Sequence, residues 1–299
     1  MIFLNRYSIP VSFLYFCILF VVKFNLFTCS MDQLRILLSK VERAVIITGA
    51  GISIESGLPS FLIKTGPARL QEPIWRNYSY MYLASDETFT RDPDIVWEFY
   101  HYLRDVYLNA IPNKAHYAIT KAQEQFAQQG RQLSVITTNF DRLHTRAGSK
   151  NVQEMYGSIF RTQCSLCEDV LVNYKQPICE ALKDRGSPDE DQAGDRIPRE
   201  QLPRCRRCGG LLRPDVIWMD EFVNRTVITD VEDIMDNTQL CLVVGFSCIV
   251  HPIASLIVRL LNAKIPVAEF NIAETELTPE AQFYFNGSCT ETLPEALKL

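Results

Sequence analysis

The stretch RAVIITGAGISIESGLPSF, residues 43–61, decides how the rest of the chain is read. Its first part, Ala44 to Thr48, is an apolar run rich in β-branched side chains, as expected of a strand buried on both faces. The run meets Gly49-Ala50-Gly51 and then a segment able to open a helix. A strand that ends in a glycine turn before a helix lets a ligand approach the backbone closely. It also offers the unpaired N–H groups of the helix start, a combination that suits the phosphates of a dinucleotide. Ile54 stands where G-x-G-x-x-G would place its third glycine, so that fingerprint is incomplete.

Working outward, three more short apolar runs end in polar or glycine residues: LSVITTN (133–139), LCLVVG (240–245) and VAEFN (267–271). Helical patterns lie at 93–110, 114–130 and 251–264. Strands alternating with helices predict an α/β fold, a Rossmann-like parallel sheet with helices on both faces. Ligands of such sheets bind beyond the carboxyl ends of the strands. Gly49–Gly51, Asn139–Asp141, Gly245–Ser247 and Glu269–Asn271 all fall at such ends, so one crevice is expected to collect them.

The chain has 299 residues, 47% hydrophobic and 22% charged, enough for one large domain or two modest ones. A net charge of −5 argues against general phosphate attraction, hence against nucleic acid as partner. VSFLYFCILFVV (11–22) lies between Arg6 and Lys23, and no acid precedes Asp32. It is short for a membrane span, which needs about 20 residues, and reads as a targeting segment, with a membrane anchor as the alternative. The tract 183–201 reads as an exposed loop.

Cys164-Ser-Leu-Cys167 and Cys205-Arg-Arg-Cys208 are two C-x-x-C pairs, the arrangement that completes a tetrahedral S₄ shell around zinc. Disulfides or free thiols are the alternative, disfavoured because the other six cysteines show no pairing pattern. Thiolate zinc also implies a reducing compartment.

From about residue 31 onward the chain resembles the sirtuins, the NAD-dependent protein-lysine deacylases, and among them the mitochondrial sirtuin-5-like branch. GAGISIESGLPSF resembles the first NAD motif, TTNFDRLHTRAG the second, and EMYGS the place of the active-site motif. LLRPDVIWMDE resembles the substrate segment, VVGFSCIVHP and PVAEFN the adenosine contacts, and TLPEAL the end of the branch. The resemblance implies NAD as cofactor, one structural zinc held by Cys164, Cys167, Cys205 and Cys208, and an acylated-lysine protein as substrate or ligand. It also implies a sirtuin domain over 31–299. The Rossmann-like core would take about 31–61, 111–160 and 216–299, a helical module about 62–110, and a zinc module about 161–215. The location implied is mitochondrial; a cytoplasmic or membrane-anchored protein is the alternative.

For the site, the resemblance implies that Gly49, Ala50, Gly51, Ser53, Glu55, Thr138, Asn139, Asp141, Gly245, Ser247, Asn271 and Cys289 border NAD. Asn139 and Asp141 belong at its nicotinamide end, and Tyr100, Val216 and Trp218 face the acyl-lysine. In the family the acyl oxygen attacks the nicotinamide ribose, and a histidine then acts as base on a ribose hydroxyl. Tyr156 occupies that histidine's place. A phenol with a pKa near 10 is ionised about one part in a thousand at neutral pH, and losing a placed base costs about 10²- to 10⁴-fold. Other departures are Leu62 for an arginine, Thr138 for a glutamine and Phe246 for a threonine, its ring able to stack on adenine or to fill its space. Leu103 takes the place of the arginine that reads acidic acyl groups, while Arg104 points about 100° away. Two readings follow: a protein deacylase of altered acyl preference, or a weak or inactive relative that binds NAD, ADP-ribose or acylated protein.

Overall fold

The computed structural model describes residues 30–60, 63–64, 70–71 and 73–298; the run at 11–22 and Leu62 lie outside them. Helix α1 (Met31–Lys40) opens with a capping box, Ser30 and Gln33 each closing on the other's backbone. Strand β1 (Arg43–Thr48) runs into the short helix α2 (Gly51–Ile54). Two small hairpins follow, β2 (Ile63–Lys64) with β3 (Leu70–Gln71) and β4 (Ile74–Trp75) with β5 (Tyr78–Ser79). Helices α3 (Tyr80–Leu83), α4 (Asp86–Arg91), α5 (Pro93–Asn109) and α6 (Lys114–Gln128) precede β6 (Gln132–Thr137), α7 (Leu143–Ala147), β7 (Val152–Glu154) and β8 (Gly157–Cys164). The remainder is β9 (Val170–Val172), β10 (Leu212–Val216), α8 (Arg225–Asp236), β11 (Leu240–Val244), α9 (Ile253–Asn262), β12 (Val267–Asn271), β13 (Phe283–Asn286) and α10 (Cys289–Leu297).

The large sheet has the order β13-β12-β11-β1-β6-β7, and each neighbouring pair is parallel. Period-two alternation sends Ala44 and Ile46 of β1 into one apolar layer with Leu34, Ile119, Phe126 and Leu293. Val45 and Ile47 enter the opposite layer with Val231, Met235, Ile257 and Leu260. Burial on both faces is why these strands read as continuous apolar runs.

The smaller lobe holds the antiparallel sheet β10-β8-β9 and the helices α3 to α5 around a third cluster that includes Trp75, Trp97, Phe99, Phe160 and Trp218. Pro93 starts α5, where its missing N–H is no loss. Arg104, one turn along α5 from Tyr100 and next to Leu103, is buried. Its guanidinium donates to the carbonyls of Ile159 (2.7 Å), Asn173 (2.9 Å) and Lys175 (2.8 Å), and burial lowers its pKa to about 10.

The tract 183–201 is largely exposed, as expected of it, but a few of its side chains pin it to the lobe. Arg185 pairs with Glu98 at 2.5 Å, and Arg196 pairs with Asp92 at 2.8 Å and with Asp94. Ile197 is buried beneath. Glu98, itself 4% exposed, also takes Arg76 at 2.6 Å. Polar composition marked the tract as a loop, and the same arginines strap it to the acidic start of α5.

Candidate active site

Strands β1 and β11 are neighbours in register, Thr48 opposite Val244, so their terminal turns meet. The Gly51 N–H donates to the Gly245 carbonyl at 2.8 Å. A Cβ on Gly49 would lie 2.7 Å from Gly245 O, and one on Gly51 2.7 Å from Gly245 Cα. Gly245 has φ +58°, in the left-handed region. The two turns are in contact because the residues that face each other there are glycines. Phe246 is 2% exposed and joins the layer of Val45 and Ile47 beneath the turn, so its ring fills core space.

At the ends of β1 and β6 a closed polar network forms. Asn139 Nδ2 donates to Gly49 O (3.0 Å) and Ser53 Oγ (3.2 Å), and the Ser53 hydroxyl donates to Asp141 Oδ2 (2.7 Å). The other Asp141 oxygen accepts the Leu143 N–H at 2.8 Å. Ser53 is thus bonded across the crevice and does not cap α2. Burial raises the pKa of Asp141, while its backbone and Ser53 hydrogen bonds oppose the rise. Thr138 donates its N–H and hydroxyl to the Thr48 carbonyl, at 3.0 and 3.2 Å. Beneath lie His144, whose Nε2 is 2.8 Å from Thr48 Oγ1, and His116, its ring 4.8 Å away. Burial lowers the pKa of both, His144 to about 4, so both stand neutral in the core beneath the crevice.

Tyr156 lies between β7 and β8, and its hydroxyl donates to the backbone carbonyl of His251 at 2.8 Å. Burial raises its pKa to about 12. A phenol serves as a base near neutral pH only with a lowered pKa, and burial does the opposite here. The sequence placed His251 on the adenosine side, and nothing in it signalled the contact of residues 95 apart. The imidazole itself is exposed, with Nδ1 2.8 Å from Ser255 Oγ.

Further along the strand ends, Ser247 is exposed at the rim and Ala50 half-buried. Asn271 Nδ2 donates to Phe246 O at 3.1 Å. Glu269, fully buried, accepts from the hydroxyls of Thr275 (2.7 Å) and Thr278 (2.6 Å). Glu55 accepts from Ser288 and from Thr290 (2.5 Å), tying α2 to the start of α10. Burial pushes its pKa up, but these hydrogen bonds hold the carboxyl below its ordinary range. Cys289 is buried beside the Phe270 carbonyl.

In the smaller lobe Trp218 Nε1 donates to the Tyr100 hydroxyl at 2.8 Å. Tyr100, Leu103, Val216 and Trp218 are all buried in one apolar cluster, and burial raises the Tyr100 pKa.

The sulfurs of Cys164, Cys167, Cys205 and Cys208 lie within 4.8 Å of one another. The separations Cys164–Cys208 (3.4 Å), Cys167–Cys208 (3.4 Å) and Cys167–Cys205 (3.8 Å) are close to the edge of a tetrahedron with 2.3 Å bonds, about 3.8 Å. The N–H groups of Leu166 and Arg207 point at Cys164 and Cys205 sulfur, each at 3.4 Å, as befits thiolates. The donor set fits zinc.

A parallel sheet with interlocked glycine turns, an Asn–Ser–Asp network at its strand ends and a four-thiolate metal site in a second lobe together define a nucleotide-binding α/β protein with structural zinc. The Sir2 family model matches residues 49–252, and the chain belongs to that family. It is 46% identical over 262 residues to the Danio rerio mitochondrial NAD-dependent protein deacylase sirtuin-5, spanning 87% of this chain and 84% of that one. A solved complex of a Sir2 homologue with NAD superposes with a TM-score of 0.72 at 31% identity, covering 89% of this chain and 92% of the other. A Sir2 histidine-to-tyrosine mutant solved with a p53 peptide and NAD gives 0.69 at 26%, covering 90% and 98%.

Proposed function

We propose that this chain is an NAD-dependent protein deacylase, moving an acyl group from a lysine side chain to ADP-ribose with release of nicotinamide. The observation that carries the reading is the Asn139–Ser53–Asp141 network standing beside the interlocked Gly49–Gly51 and Gly245 turns, in a chain of the Sir2 family. The residues present fit NAD. Bare glycine backbone lines the strand ends, and Ser247 is exposed at the rim. Bound NAD supplies the ribose carbon that takes the acyl oxygen.

The rest falls to the chain's own side chains. Asn139 and Asp141 hold the nicotinamide end, with Ser53 fixing both and Thr138 behind them. Gly49, Ala50 and Gly51 border the phosphates. Gly245, Ser247, Asn271, Glu55 and Cys289 border the adenosine side. Tyr100, Val216 and Trp218 enclose the acyl-lysine, and Leu103, buried where a cation would read a carboxylate, favours a neutral acyl chain. Tyr156 sits at the histidine's position as a protonated donor, so it orients its surroundings and does not take a proton. Zinc, held by Cys164, Cys167, Cys205 and Cys208, supports the lobe. The partition into a core, a helical module (62–110) and a zinc module (161–215), and a mitochondrial location, belong to the same proposal.

A second reading, retention of NAD and acylated protein with very slow turnover, is favoured by the protonated state of Tyr156. The related Sir2 structure with a histidine-to-tyrosine change holds both peptide and NAD. The deciding experiment is nicotinamide release from NAD with acetyl-, succinyl- and long-chain acyl-lysine peptides. Release with neutral acyl groups exceeding release with succinyl supports the deacylase and its preference. Silence on every peptide, with NAD binding retained, selects the second reading.

A further inference from the structure

The zinc lobe ends in an open sheet edge. β9 is the outermost strand of β10-β8-β9, and all three of its residues are exposed: Val170 (43%), Leu171 (50%) and Val172 (56%). Leu166 (74%) and Tyr174 (43%) extend the apolar strip on either side. Sheet proteins protect such edges with charge, proline, a bulge or brevity; β9 is short, at three residues, but carries no charge, proline or bulge.

The hydrogen bonds show which backbone groups are open. The Asn173 N–H donates to Phe160 O (2.7 Å), and the Cys164 N–H donates to Asp169 O (3.0 Å). With Thr162 opposite Leu171, these fix residues 169, 171 and 173 as the ones facing β8. By the same alternation Val170 and Val172 turn their N–H and C=O groups outward.

That spacing is self-complementary. A second strand running antiparallel about a two-fold axis through Leu171 places Val170 of each copy against Val172 of the other. Both pairs are of the hydrogen-bonded kind, which makes four main-chain bonds. The two Leu171 side chains then meet at the close, non-hydrogen-bonded position, where cross-strand apolar contact is strongest. The flanking charges agree: Glu168 and Asp169 precede the strand and Lys175 follows it, with Glu168 and Lys175 exposed. Antiparallel pairing sets the acidic end of each copy beside the basic end of the other, and does so twice. Parallel pairing sets like against like.

We propose that the β9 edge is a self-association surface whose occupant is a second copy of this chain, joining two zinc lobes into one six-stranded sheet β10-β8-β9-β9-β8-β10. The contact is short, so the dimer is weak, with a dissociation constant of order 10⁻⁴ M.

The test is sedimentation of the full chain with zinc from about 10 µM to about 1 mM, at low and high salt, with hydrogen exchange read at both ends of the range. Dimer should grow with concentration, and the amides of Val170 and Val172 should gain protection as it does. Leu171→Lys, which sets two like charges on the two-fold axis, should weaken association at least about tenfold and leave the thermal midpoint unchanged, because that side chain is exposed. Glu168→Lys or Lys175→Glu alone should weaken it, and the double swap should restore it. A chain that stays monomeric throughout overturns the proposal and leaves the edge to a strand of another protein. A dimer that survives Leu171→Lys overturns it too, by placing the interface elsewhere.

Discussion

Replacing Tyr156 with histidine tests the chemistry of the site most directly. With a pKa of about 12, the phenol is deprotonated at pH 7.4 in about one molecule in 10⁴ to 10⁵. Its hydroxyl hydrogen is engaged at 2.8 Å by the His251 carbonyl, so even that fraction must first break a bond within the protein. An imidazole in the same place is mostly unprotonated at that pH, and a placed base contributes about 10²- to 10⁴-fold. Tyr156→His is therefore expected to raise kcat for nicotinamide-linked deacylation by about 10²- to 10³-fold, with the departures at Thr138 and Leu62 limiting the rest. Tyr156→Phe should change kcat less than about threefold, because it removes a donor and no base. The assay is steady-state release of nicotinamide and deacylated peptide between pH 6 and 10. If the phenolate were the base, log kcat would climb by one per pH unit towards 12; the unaltered protein should instead be flat. A tenfold loss in Tyr156→Phe together with that unit slope would refute the reasoning. So would a histidine variant no faster than its parent while still binding NAD.

Acid should unfold the protein in a defined window. His144 is neutral when folded, with a pKa lowered to about 4, whereas the unfolded chain takes a proton below about 6.5. Stability is therefore complete above pH 6.5 and falls as pH drops towards 4, by about 3 kcal/mol from His144, with His116 adding to it. Urea titrations at pH 7.5 and 4.5 measure this, and His144→Gln should flatten the dependence. Cys205→Ser should take zinc content from one ion to none and lower the melting temperature of the smaller lobe, read by metal analysis and calorimetry. Glu98→Gln removes the shared partner of Arg76 and Arg185 and should destabilise by about 3 kcal/mol, which denaturant unfolding would show. Gly51→Ala drives a methyl to 2.7 Å from Gly245 Cα and should weaken NAD binding at least about tenfold by titration calorimetry.

What the sequence made legible was whatever is carried by short-range chemistry. β1, β6, β11 and β12 showed as apolar runs because both their faces are buried, and their polar or glycine ends located the crevice. The two cysteine pairs located the zinc, since a knuckle is a local object. The amphipathic helices α5, α6 and α9 showed by periodicity, whereas β13 was not read because Phe283–Asn286 is too short to carry a pattern of its own. The illegible part consists of contacts between distant segments. Tyr156 reaches His251, Arg196 reaches Asp94, and the Phe246 ring turns into the core; each depends on how separate elements pack. Residue type gave the inventory of the site, while packing decided which hydrogens, charges and rings were already engaged.

The abutting turns after β1 and β11 bear on how this fold can change. Gly49 and Gly51 face Gly245 with no room for one carbon, so neither turn can be altered alone without displacing the other. The two stretches, nearly two hundred residues apart along the chain, behave as a single heritable unit. An engineer who wishes to reshape this rim must redesign both turns in one step, because every single-substitution route between two working versions passes through a collision of backbones.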